Sequence, residues 1–423
     1  MAVTLFGAFA FLLLFNIPIA FCLGLAAAIG MYFMGGPDLL VIPQKMFTSI
    51  NSFTLMAIPF FMLAGSLMQN GGISTRLIKM AKNVVGSMTG GLAIIAVVTS
   101  MFFAAISGSS PSTVAAMGSI LIPAMIKEGY GEGFAGAVQA ASGSLGVIIP
   151  PSITMITYGV VTGTSIGDLF LGGFGAGLLY GGIIIFVAYV ISKIKGYKGT
   201  EKASFKEFIE SFKDAIWAIL MPVIILGGIY GGIFTPTEAA AVAVLYGFVI
   251  GMFVYKDLKI EDIPDVFMDS AKSTSVVMLI IATATIFGWL LNIEQIPTQI
   301  ANAVLNFSTN PIIVLLLINV LLLFVGCFIE TNAAIIILAP ILLPLALKIG
   351  IDPIHFGVIM VVNTAMGMIT PPLGVNLFVA CGISKISMEN ISKAAIPFML
   401  ALIVATLLIT FIPSISMFLP SLF

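Results

Sequence analysis

Uncharged apolar runs of about 20 residues recur along this chain, among them residues 169–191, 215–233 and 312–329. As helices rising 1.5 Å per residue, such runs cross the ~30 Å hydrocarbon core of a bilayer. A helix satisfies its backbone amides internally, which is the condition for surviving where there is no water. Only 8% of the 423 residues are charged, against about 25% in soluble domains. An all-α polytopic membrane protein is therefore expected. The first 34 residues have no basic leader and no small-residue cleavage site, so they read as a first crossing, 3–34, and not as a signal peptide. Cys22, Cys327 and Cys381 follow no metal-ligand spacing and read as small buried apolar groups. No GxxxxGK[ST] phosphate loop is present, so nothing supports ATP hydrolysis by this chain.

Further full crossings are expected near 52–70, 132–163, 169–191, 215–233, 237–254, 273–292, 354–383 and 394–420. Two apolar pairs, 91–126 and 311–348, carry polar residues at their centres and read as re-entrant helical hairpins. With the N-terminus cytoplasmic, only Lys45 and Lys348 of the 17 Lys and Arg fall outside, as the positive-inside rule requires. Nine crossings then leave the C-terminus periplasmic. The stretch from Lys193 to Lys213, with Glu201, Lys202, Glu207 and Glu210, reads as a solvated cytoplasmic loop and helix start near lipid head groups.

The two hairpins align without gaps at an offset of 221 residues. Ser109 falls on Glu330, Ser110 on Thr331, Pro111 on Asn332, Gly146 on Gly367, and Pro150-Pro151 on Pro371-Pro372. The chain divides into a first repeat (1–192), a cytoplasmic loop with a linking span (193–236) and a second repeat (237–423). Residues 73–86 carry Arg76, Lys79 and Lys82, whereas their counterpart 296–309 has no basic residue. The halves thus read as an inverted-topology repeat, the mark of a secondary transporter.

Non-helical backbone at membrane depth must face protein or a wet cavity. Each hairpin break supplies hydroxyl or amide oxygens and a new helix N-terminus. The 132–163 and 354–383 spans are broken by proline pairs that free backbone carbonyls. Neutral oxygens suit an alkali cation and a helix N-terminus suits an anion, so two pseudo-symmetric cation sites flanking an anionic solute are expected. Glu330 reads as an intramembrane acid that titrates or caps a helix, and Glu238 as a helix cap after Thr235-Pro236. His355 reads as a boundary residue.

These segments, with Gly232-Ile233-Phe234-Thr235-Pro236-Thr237-Glu238-Ala239-Ala240-Ala241, closely resemble the large membrane subunit of the tripartite ATP-independent periplasmic transporters. The resemblance covers essentially the whole chain. It implies sodium-driven import of an organic acid, by an elevator motion, across a bacterial or archaeal inner membrane. It also implies two or more coupling sodium ions and no organic cofactor, enzyme activity or nucleic acid. The implied partners are a soluble periplasmic binding protein and a small four-helix membrane subunit, the latter as a separate chain. Carried over, the sodium ligands are Ser109, Ser110, Ser112, Ser142 and Gly143 in one half and Thr331, Asn332, Asn363, Thr364 and Gly367 in the other. Ser110, Thr113, Pro150, Pro151, Thr331, Thr370, Pro371 and Pro372 then lie near the substrate. Pro111 stands where the second half has Asn332, so the first site relies more on hydroxyls and carbonyls. A stand-alone sodium/dicarboxylate symporter is the alternative, with an intramembrane enzyme or a non-transporting scaffold more remote.

Overall fold

The computed structural model describes every residue except 1, 16, 35–37, 200–203 and 423, and the described residues contain helices and no strand. Glu201 and Lys202 of the Lys-rich loop therefore lie outside the described residues. The first half holds α1 (Ala2–Leu14), α2 (Ile19–Met34), α3 (Val41–Ile50), α4 (Ala57–Asn70), α5 (Ile73–Val85), α6 (Gly91–Ser107), α7 (Ser110–Lys127), α8 (Glu132–Gly143), α9 (Ile153–Thr162) and α10 (Ile166–Lys195). After α11 (Phe205–Tyr230) come α12 (Pro236–Val249), α13 (Ile263–Ile293), α14 (Ile296–Phe307), α15 (Pro311–Phe328), α16 (Thr331–Lys348), α17 (Pro353–Gly367), α18 (Val375–Ser384), α19 (Met388–Phe411) and α20 (Ser414–Met417). Shifted by 221 residues, α7 coincides with α16 at both ends, so the repeat read from prolines and glycines is a repeat of helices.

Both expected hairpins form. Gln139 of α8 lies against Gly118 of α7 and donates to the Ser100 hydroxyl of α6 at 3.2 Å. Residues on either side of the break thus sit at one height, which requires α6 and α7 to be antiparallel. In the second half, Asn363 and Gly367 of α17 meet Asn319 and Gly326 of α15, so these two helices run parallel. Thr331 at the start of α16 meets Met368 just beyond α17, and α16 ends four residues before α17 begins. It therefore runs back along α17. The two broken spans also stand where expected, interrupted at cis Pro150-Pro151 and cis Pro371-Pro372.

The first crossing differs from expectation. Residues 3–34 form two helices, not one, because Pro18 lacks an amide and disfavours helix in the residue before it. α2 begins afresh with Phe21 and Cys22 donating to the Pro18 carbonyl. Leu5 packs on Gly30, so α1 folds back antiparallel to α2. At 13 and 16 residues, about 20 and 24 Å, each is shorter than the bilayer core. The crossing count that made the N-terminus cytoplasmic used one helix where there are two. The linking span is also longer than 215–233, because a capping box at Ser204 and Glu207 starts α11 early.

Packing sorts the helices into two bodies, each drawing on both repeats. α1–α5 pack with α11–α14, and α6–α10 with α15–α20; the bodies meet where α4 and α5 touch α6 and where α13 and α14 touch α16. Arg76 clamps the first body. Its Nε faces Asp214 of α11 at 3.3 Å, its Nη1 donates to Asp257 and to the Gly72 carbonyl, and its guanidinium stacks 3.8 Å from the Tyr255 ring. The side chain is only 17% exposed, so these contacts are shielded from water. Arg76→Ala should destabilise the protein by about 2 kcal/mol, read as a lower unfolding temperature in detergent. Arg76→Lys should recover little, because an ammonium cannot make the planar fork.

Candidate functional site: two hairpin tips against two broken helices

Close approach of backbone builds each site. Gly146, past the end of α8, sits so tightly on the first hairpin tip that an added Cβ would lie 2.7 Å from the Ser109 carbonyl carbon. Its counterpart Gly367 packs on Gly326, where a Cβ would lie 2.8 Å from the Gly326 oxygen. The chain beyond each break is stitched to its tip as well: Ile153 N–H donates to the Gly108 carbonyl and Gly374 N–H to the Cys327 carbonyl, both at 3.3 Å. Gly143 likewise contacts Val114. Gly143, Gly146 and Gly367 are thus the packing surfaces that let tip and broken helix meet.

The expected ligands do meet at these tips, but many of their oxygens are engaged. In the first half the Ser109 carbonyl accepts from the Thr113 amide and hydroxyl, and the Ser109 hydroxyl accepts from Ser112 at 3.2 Å. Thr113 also bonds Ser107, while Ser142 donates back to the Val138 carbonyl at 2.6 Å. In the second half Thr364 and Thr370 donate back to the carbonyls of Met360 and Met366, and Thr331 donates to the Met368 sulfur. The Asn363 amide nitrogen donates to Asn319 at 2.7 Å and to the Ile359 carbonyl. The buried Asn332 Oδ1 has no partner, as a cation ligand requires.

The acids resolve into caps. The Glu330 carboxylate accepts from the amides of Asn332 and Ala333 at 2.9 and 3.3 Å and from the Asn332 side chain at 2.9 Å. It closes the N-terminus of α16. Glu238 forms a capping box with Thr235 and stands apart from both tips. His355 is buried at the start of α17, clipped to Ser416 and to the Thr410 carbonyl. The proline pairs differ between halves: Pro150 and Pro151 are buried, Pro371 and Pro372 exposed.

Two polar residues escaped the sequence reading. Asn376, at the start of α18, straddles the Ser110 hydroxyl, accepting from it at 3.0 Å and donating to it at 2.8 Å. It also donates to the Ala140 carbonyl at 3.0 Å, tying the two halves together inside the second body. Asn319 accepts from both Asn363 and Thr410. Both are single asparagines inside apolar helices, a signal visible in the sequence. A small cleft of about 50 Å³ lies beside the first tip, where Ser107, Ser109 and Ser112 face Ser66, Gln69 and Ser270 of the other body.

Comparison with known proteins agrees with this architecture. The family model for the DctM component of the tripartite ATP-independent periplasmic transporters matches residues 6–415. The chain is 50% identical to an isethionate permease protein, DctMQ, of Oleidesulfovibrio alaskensis, over 98% of this chain and 65% of that one. It thus spans just under two thirds of that relative's length. It is 44% identical to the C4-dicarboxylate large permease DctM of Pseudomonas aeruginosa, over 94% of this chain and 93% of that one. Its fold is similar to that of the Alcanivorax borkumensis YdaH transporter, with a TM-score of 0.62, 14% identity and 88% of each chain covered. The relatives are transport permeases and not enzymes. With hairpins, breaks and repeat all in place, this chain belongs to the DctM family of tripartite ATP-independent periplasmic transporters.

Proposed function

We propose that this chain is the sodium-driven translocation subunit for an organic acid anion handed over by a soluble periplasmic binding protein, working with a small membrane subunit in the inner membrane. The observation that carries the reading is the pairing of each hairpin tip with a proline-broken helix inside one of two separable helical bodies. Sodium would sit among the neutral oxygens at each tip: Ser109, Ser112 and the carbonyls around Gly143 in the first, Asn332, Thr331 and Asn363 in the second. Asn332 Oδ1, buried and unpaired, supports the second site. Sliding of the second body against the first would carry the tips between the two faces. The relatives named above suggest a C4-dicarboxylate or isethionate as cargo. The lysine distribution favours Lys45 and Lys348 on the periplasmic side, with the C-terminus beside them. On that orientation the start of α1 returns to the periplasmic side with the end of α2. Each net charge moved gains about 2.3 kcal/mol per 100 mV, enough to drive accumulation.

The test is uptake into liposomes holding this chain and its small subunit, with loaded binding protein outside. Uptake should require an inward sodium gradient and the binding protein, and fall at least tenfold in Thr331→Ala and Ser112→Ala, on the scale of one lost hydrogen bond or ligand contact. Uptake indifferent to sodium would remove the symport reading, and uptake without binding protein would favour a stand-alone symporter.

A further inference from the structure

The two halves treat their hairpin-tip helix ends differently. In the second half Glu330 closes the N-terminus of α16 with its own carboxylate. At the equivalent place in the first half stands Ser109, which begins α7 without any side-chain cap to its amides. Pro111 brings no amide of its own, so the open donors of that first turn are the N–H groups of Ser110 and Ser112. An N-terminus of an 18-residue helix carries partial positive charge and favours an oxyanion over a cation.

A second observation, on the other body, points into the same place. Ser270 of α13 is only 5% exposed, lines the cleft beside Ser109, and its hydroxyl makes no hydrogen bond within the protein. Ser66 and Gln69 of α4 line the same wall and are likewise without side-chain hydrogen bonds. A buried hydroxyl is left unpaired only at a cost, and here three donors from the first body converge on the open helix end of the second. No charged side chain lines the cleft. Its volume of about 50 Å³ admits a few water-sized groups, the scale of one carboxylate or sulfonate head.

We infer that the oxyanion of the transported acid caps α7, taking in the first half the place that Glu330 takes in the second, while Ser66, Gln69 and Ser270 hold its outer oxygens. The pseudo-symmetry explains why there is one such place and not two: the other is filled from within the chain. The inference rests on the transport reading for the identity of the cargo. The three donors on the first body engage the oxyanion only while the tip stands beside them. When the second body slides away, they lose it.

The experiment places a carboxylate at position 109. Purified complex with its small subunit is heated with and without millimolar succinate or isethionate, and uptake of the same acids is measured in liposomes. Ser109→Asp should lose stabilisation by both acids and lower uptake at least tenfold, the scale of a hydrogen bond to a charged group. Ser109→Asn, similar in shape but neutral, should keep most of both. Ser270→Ala and Gln69→Ala should each raise the apparent KM about tenfold and leave the sodium concentration for half-maximal uptake in place; they decide the matter if Ser109→Asp does not fold. The assignment is overturned if Asp and Asn at 109 behave alike, if the first-body variants leave KM unmoved, or if neither acid stabilises the parent complex. Acid binding that follows this pattern without sodium-coupled uptake would remove symport and keep the cap. Sodium-coupled uptake undisturbed by Ser109→Asp would do the reverse.

Discussion

Gly146→Ala is expected to cut transport at least tenfold while leaving an assembled membrane protein. The added methyl would meet the Ser109 carbonyl carbon at 2.7 Å and the Thr113 hydroxyl at 2.7 Å, with the Ser109 oxygen closer still. None of these can swing aside, because the Ser109 carbonyl is held by two bonds from Thr113. The tip must therefore move as a unit, at about 1–3 kcal/mol or more for overpacking. Its hydroxyls move with it. Gly367→Ala should act alike in the second half, where the obstacle is the Gly326 backbone. Gly182 of α10 has nothing within 4 Å of an added Cβ, so Gly182→Ala should be neutral or stabilise by up to about 1 kcal/mol. Uptake assays beside size-exclusion profiles check all three. Equal activity in Gly146→Ala and Gly182→Ala would mean that the tip does not depend on this close approach.

Asn376→Ala should destabilise the second body by about 2–4 kcal/mol, the sum expected when a buried residue loses three hydrogen bonds and strands its partners. The Ser110 hydroxyl and Ala140 carbonyl both lose it, and Ser110 is fully buried. Asn376→Asp should be worse: a buried charge would face the Ala140 carbonyl, which repels it. A cycle with Ser110→Ala separates contact from bulk, since residues sharing a bond couple by about 0.5–3 kcal/mol and independent ones add. Unfolding temperatures of the four proteins provide the coupling. Additive losses would show that Asn376 acts by filling space alone. Because this residue bridges the two repeats, its loss should also slow transport more than Arg76→Ala, which touches only the first body.

The site was partly legible before any coordinates. Glycine and proline mark a break wherever they fall, so the tips and the broken spans stood out at an offset of 221 residues. What each oxygen does there was not legible. Ser110, Thr113, Ser142, Thr364 and Thr370 satisfy buried bonds within a few residues or across to the other half, whereas Asn332 keeps one oxygen unpaired. Glu330, a candidate for titration in the sequence, proves to be a helix cap. α1 was missed because its apolar composition runs on through Pro18, and composition carries no sign of a chain folding back.

Sequence alone determined the class of the molecule, its repeat and the places where its helices break. Those depend on the length of apolar runs and on residues that alter their own backbone, which act through neighbours in the chain. Tertiary structure decided which polar groups are already paired, how the helices sort into two bodies, and that one hairpin end is closed by Glu330 while the other lies open. Hydrogen bonding is settled by whatever group packing brings within 3 Å, and for Ser110 that group is Asn376, 266 residues away.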